Sequence, residues 1–202
     1  MNKVDLKQEA ELLMIKPGNV KGEVFRTHAI YINYREGEEG LKRVEEKTKE
    51  LGFPVVFLEI KPGKWYKEAL SVLVILTAKD VFNWTEKDIY EMGSFAPKHS
   101  FIVKIFVKHF LSVKDIFIRA EQYWQKHYDF GFFEKVEFNE DKKYIIVAVK
   151  EYAFHPVVYD TYFRGYFTAI AKLSVKSNNI KTELIKNISD GDNYNEYKIS
   201  WE

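Results

Sequence analysis

The hydrophobic period of this 202-residue chain changes near Gly131, and that change restricts the folds open to it. Upstream, apolar residues recur at helical spacing; downstream, FGFFEKVEF (130–138) and YIIVAVKEY (144–152) alternate with period two. The polar run NEDKK joins these two strands. Helical spacing returns in HPVVYDTYFRGYFTAIAKL (155–173), where Pro156 suits a first helical position. Two more strands, NIKTELIKNI (179–188) and YNEYKISW (194–201), flank SDGDN, whose Asp-Gly pair is a hairpin signal. Hairpin, helix, hairpin predicts a four-stranded antiparallel sheet crossed by one helix.

The segment before the switch reads as helices. KGEVFRTHAIYINYR (21–35) places Val24, Phe25, Ala29 and Ile32 on one face, and GEEGLKRVEEKTKELG (37–52) has acids in its first turn and a closing Gly52. FPVVFLEIKPGKW (53–65) reads as extended or turning around two prolines, and a buried helix is expected over 65–79. WTEKDIYEMG (84–93) has Thr85 as N-cap, Asp88 three residues on, and Gly93 as a stop. Two further helices are expected at about 100–110 and 112–128, the second capped by Ser112. The expected class is α+β, one domain over 1–202, mainly helical over about 1–128, with a sheet and one crossover helix over 130–202. Neither a linker nor an internal repeat is visible.

Charge and cysteine content exclude several functions. Lys and Arg number 31 against 30 Asp and Glu, so no net field draws in nucleic acid or anionic lipid. Absence of cysteine rules out disulfides, thiolate metal sites and a cysteine nucleophile. The N-terminus, MNKVDLKQEAELLMIKPG, carries charges throughout and is not a signal peptide. The longest apolar run, ALSVLVILTA, is about half a membrane span. A cytoplasmic protein is expected, and Lys and Glu richness leans toward a thermophile.

Gly165 falls in the middle of the 155–173 helix, where glycine costs about 1 kcal/mol relative to alanine. Thr161, Gly165 and Ala169 form a stripe of small residues beside an apolar face of Tyr159, Tyr162, Phe163, Tyr166, Phe167, Ile170 and Leu173. Such a stripe permits close approach to a neighbour, expected here to be the sheet, or leaves a gap that admits a ligand.

The order of elements, with GEEGLKRVEE, TEKDIYEMGSFAP and the ending YNEYKISW, resembles the fold shared by H-NOX (haem nitric-oxide/oxygen binding) domains, 4-vinyl reductase domains and certain TRAPP subunits. The resemblance covers about residues 20–202, is carried mainly by element order, and is nearest to bacterial members without the haem-ligand histidine. It implies a ligand site between helices and sheet. Haem-binding members hold iron with a histidine whose position falls on Phe117 or Ile118, and clamp propionates with a Tyr-x-Ser-x-Arg strand that matches YIIVAVKEY here. With neither ligand nor clamp in place, haem is not expected and no cofactor is firmly implied. The acylated cysteine of the TRAPP branch is also absent.

Candidate pocket residues on this reading are Phe106, His109, Phe110, Phe117, Ile118, Phe133, Phe163, Gly165 and Phe167, with His109 as a substitute ligand. Phe101, Trp124 and Phe132 join the aromatics expected to face one another. His127 reads as structural, at a helix end where a cation is favoured, and His155 as a helix-entry residue. The chain has no Gly-x-Ser-x-Gly, phosphate loop, dinucleotide fingerprint or His-x-x-x-His, so catalysis and a metal site are not expected. The leading expectation is a non-enzymatic sensory domain holding a hydrophobic small molecule without ligated haem, with signalling through a partner. The alternatives are a ligand-free interaction or dimerisation module, and a haem- or tetrapyrrole-binding protein resembling the 4-vinyl reductase branch.

Overall fold

A computed structural model describes residues 5–100, 103 and 113–202. Helix α1 (Leu6–Met14) starts at Asp5, whose carboxylate accepts from the Lys7 amide at 3.1 Å, and buries Ala10 and Leu13. The strand β1 (Asn19–Lys21) leads into α2 (Gly22–Glu50), which kinks at Gly37, where φ is 72°. Thus the two helices read over 21–35 and 37–52 run end to end. Gly52 closes the second at φ 89°, its amide bonded to the Lys49 carbonyl.

Residues 53–65 contain a 3₁₀ turn (Phe57–Glu59), and β2 (Trp65–Lys67) then pairs antiparallel with β1. The helix read over 65–79 therefore begins later, as α3 (Glu68–Phe82), and is buried almost all round through Ala69, Val72, Leu73, Val74, Ile75, Leu76 and Ala78. Burial of each large aliphatic side chain contributes about 1.5–3 kcal/mol.

Helix α4 (Glu86–His99) opens on the capping box expected from sequence: Asp88 accepts from both the amide and the hydroxyl of Thr85 at 2.7 Å. Gly93 does not stop it, because α4 runs six residues further and passes through Pro97. Helices α5 (Val113–Ile118) and α6 (Ala120–His127) occupy most of 112–128; the expected helix at 100–110 lies outside the described residues, Val103 excepted.

The four-stranded antiparallel sheet comprises β3 (Phe132–Asn139), β4 (Tyr144–Lys150), β5 (Ile180–Lys186) and β6 (Asn195–Trp201), in the order β3-β4-β6-β5. The link from β5 to β6 is longer than a two-residue turn: a 3₁₀ turn, Ile188–Asp190, ends at Gly191 with φ 96°. The crossover from β4 to β5 begins as a π turn (Val157–Tyr162) and continues as α7 (Phe163–Lys172). Tyr197 on β6 donates its hydroxyl to the Tyr159 carbonyl in that π turn, at 2.7 Å.

Two faces of α7 are used differently. Phe163 and Phe167 pack on Tyr197 of the sheet, with ring centroids 6.5 and 5.0 Å away. Gly165 faces α4, not the sheet: a Cβ there would collide with the Tyr90 carbonyl oxygen and lie 3.0 Å from the Ser94 amide nitrogen. Gly93 is the reciprocal position, where a Cβ would collide with the Tyr162 carbonyl oxygen. The two helices therefore cross backbone to backbone, and Ser94 donates to the Gly165 carbonyl at 3.1 Å. That close approach is what the glycine supplies.

Candidate functional site

A cavity of about 80 Å³ lies where α2, α4, α5, α6, β3 and α7 meet. Phe117, Phe133, Phe163 and Phe167 line it, together with Ile116, Trp124 and Ile170. The Phe117 and Phe133 rings are stacked with centroids 6.3 Å apart. These aromatics converge because α5 and α6 lie over β3, while α7 crosses the inner face of the same sheet.

The remaining candidates fall elsewhere. Ile118, adjacent to Phe117 on α5, is 46% exposed, since consecutive helical positions point about 100° apart. Gly165 meets α4 and is not in the cavity wall. Phe132 is 50% exposed because its neighbour Phe133 takes the inner side of β3, leaving it the outer one. Phe106, His109 and Phe110 lie outside the described residues.

One part of the wall is polar, and the sequence reading missed it. Glu23, Thr27, Ser100, Tyr123, His127, Tyr128, Tyr162 and Tyr166 line the cavity as well. Glu23 is 4% exposed and pairs with Arg26 at 3.3 Å. His127 is not the helix-end cation expected from sequence. Burial lowers its pKa, and its Nδ1 lies 3.1 Å from the Tyr123 carbonyl, which can only accept. Nδ1 thus carries the proton and Nε2 presents a lone pair. Burial also raises the pKa of Tyr123, Tyr128, Tyr162 and Tyr166, so all four hydroxyls stay protonated at neutral pH. The signal in the sequence was tyrosine at 162 and 166, one helical turn apart; it was read as part of an apolar face.

Two buried groups sit away from the cavity wall. Glu68, the first residue of α3, is 2% exposed and accepts the Tyr152 hydroxyl at 2.5 Å, while its Oε2 has no partner. Burial raises its pKa to about 8. His28 on α2 is 1% exposed, packs edge-on to Tyr162, and has no hydrogen bond at either nitrogen; burial lowers its pKa to about 3. His155 is only partly buried, and its pKa is lowered to about 4, first by burial and then by Lys16 and Lys79. Among the described residues, no group of three or more His, Asp or Glu side chains is placed to hold a metal ion. Nor is any helix there long and apolar enough to cross a membrane.

The sequence matches no family model and no curated protein. Its fold does match solved structures. An H-NOX protein from S. oneidensis in the Fe(II)NO ligation state superposes with a TM-score of 0.70 at 11% identity, over 90% of this chain and 99% of that one. An oxygen-binding H-NOX domain related to soluble guanylate cyclases, in its oxygen complex, gives a TM-score of 0.59 at 14% identity, over 90% and 95%. An H-NOX structure from a study of haem distortion gives 0.64 at 15%, again over 90% and 95%. The chain therefore has an H-NOX-like α+β fold.

Proposed function

We propose that this chain is a non-enzymatic ligand-binding domain that holds an apolar small molecule between its helices and its sheet. The carrying observation is the cavity walled by Phe117, Phe133, Phe163 and Phe167 at the junction of α5, α6, α7 and β3. A largely apolar pocket with a few convergent polar groups is the usual form of a small-molecule site. Occupancy would be read as a shift of α5 and α6 relative to the sheet, because those helices form one wall.

The structural neighbours include proteins named for Fe(II)NO and oxygen complexes, so an iron porphyrin is the first ligand to weigh. The described wall does not fit it. A porphyrin needs an axial ligand and cations for its propionates. Phe117 or Ile118 stands where the resemblance puts the axial histidine, and no lysine or arginine lines the cavity among the described residues. Among the described wall residues the one acidic side chain is Glu23, paired with Arg26. His127 is the single described imidazole in the wall.

Native mass spectrometry of the protein as purified tests the reading, with Ala120→Phe as a variant that fills the cavity from α6. The expected result is an adduct that leaves on denaturation, or appears after incubation with apolar aromatics, and is lost in Ala120→Phe. A bare mass under all conditions would overturn the reading in favour of an interaction module whose interior is closed. A haem-sized adduct with a Soret band would overturn the exclusion of porphyrin.

A further inference from the structure

We propose that the cavity selects an uncharged single-ring molecule carrying one carbonyl or hydroxyl oxygen, with that oxygen turned toward Tyr128, Tyr162 and Tyr166. This rests on the cavity being a binding site, as argued above. All three tyrosines line it, and Tyr162 is only 5% exposed. Among the described residues none of their hydroxyls makes a hydrogen bond. Tyr162 and Tyr166 stand one turn apart on the crossover, and Tyr128 directly follows α6.

A hydroxyl that loses water without gaining a partner costs about 1–3 kcal/mol, and Tyr162 is buried while Tyr128 and Tyr166 are half-buried. The same helix places phenylalanine at 163 and 167, beside tyrosine at 162 and 166. Both residue types fit here, and the hydroxyls are the difference. Water would satisfy the tyrosine end but is disfavoured against Phe117, Phe133 and Ile116. A molecule with an apolar body and one oxygen suits both ends.

Charge narrows the class further. The tyrosines are neutral donors, no cation lines the described wall, and Glu23 is already paired with Arg26. A carboxylate-bearing ligand would be desolvated without a counter-charge, at a cost of several kcal/mol. A carbonyl or hydroxyl oxygen accepts from the tyrosines without that penalty, and a ligand hydroxyl can donate back to Nε2 of His127. Size sets the single ring: a cavity needs about 10–15 Å³ to hold one water, so about 80 Å³ admits a small ring rather than a polycycle.

Three probes of closely similar shape separate the possibilities: isopropylbenzene, acetophenone and benzoate, titrated calorimetrically into the wild type and the Tyr162→Phe/Tyr166→Phe double variant. Acetophenone is expected to bind the wild type at least tenfold more tightly than isopropylbenzene, with benzoate weakest. In the double variant acetophenone should fall to the isopropylbenzene level while isopropylbenzene is unchanged. The double variant loses only two hydroxyls that lack partners, so its melting temperature should match or exceed that of the wild type, which keeps the comparison interpretable. Benzoate binding as tightly as acetophenone, or an acetophenone advantage that survives the double variant, overturns the tyrosine assignment and leaves the cavity reading standing. Absence of binding by all three overturns both.

Discussion

Replacing Glu68 with glutamine is expected to remove a pH dependence of stability that originates in one buried carboxyl. In the folded chain burial holds Glu68 protonated up to about pH 8, against an ordinary value of 4.5. Between these two values the folded protein binds a proton that the unfolded chain has released, so stability falls as pH rises, by about 1.4 kcal/mol per pH unit. The contribution is complete below pH 4.5 and gone above pH 8, which amounts to roughly 5 kcal/mol over the window. Glutamine keeps the shape and an acceptor for the Tyr152 hydroxyl but cannot ionise. Urea unfolding at pH 5, 7 and 9, followed by fluorescence of the four tryptophans, reads the effect. With a denaturant slope of about 2 kcal/mol/M, the E68Q midpoint should gain roughly 2 M on the wild type between pH 5 and pH 9. Midpoints that stay parallel across this range would refute the claim that Glu68 is buried and protonated.

Gly165→Ala should lower stability by about 1–3 kcal/mol, because the new methyl group meets the Tyr90 carbonyl in a contact with no side chain to repack. Gly63→Ala, where a Cβ has open space, should leave the melting temperature almost unchanged. His28→Leu should be neutral or stabilising at pH 7, since it removes two buried nitrogens that lack partners. It should also flatten the acid limb: the folded pKa of His28 is depressed to about 3, so the wild type loses stability as pH falls from 6.5 toward 3. An acid limb unchanged in His28→Leu would count against that burial. Phe133→Ala should cost about 3–5 kcal/mol in chemical denaturation, with a wider cavity as the accompanying change.

Much of this architecture could be read from the chain, and the gaps have physical causes. The sheet and its crossover helix follow from the switch of period after Gly131, because alternation is a local property. Gly93 and Gly165 were separately visible but not as a pair. A glycine that ends a helix and one that admits a neighbouring backbone look alike in sequence, and only the crossing of α4 and α7 distinguishes them. Strands β1 and β2 are three residues each, too short to show a period. The π turn adds one residue per turn without any composition of its own. At the cavity, Phe117 and Ile118 were both candidates because alignment could not settle which neighbour points inward. The tyrosine cluster was missed because a pattern of apolar positions counts the ring and ignores the hydroxyl.

The crossing at Gly93 and Gly165 also has a mechanical meaning. Helices that interlock through side-chain ridges resist turning, since every ridge must leave its groove. At this point α4 and α7 meet main chain to main chain, and two side-chain bonds, Ser94 to the Gly165 carbonyl and Tyr90 to Thr168, pin the crossing where it is closest. The contact behaves as a pinned pivot. Pressure from a cavity occupant on Phe163, Phe167 and Ile170 of α7 would thus be converted into tilt about that point, while the spacing of the two helices is held constant. Spin labels near the two ends of α7 would register such a movement as opposite changes in distance to α4.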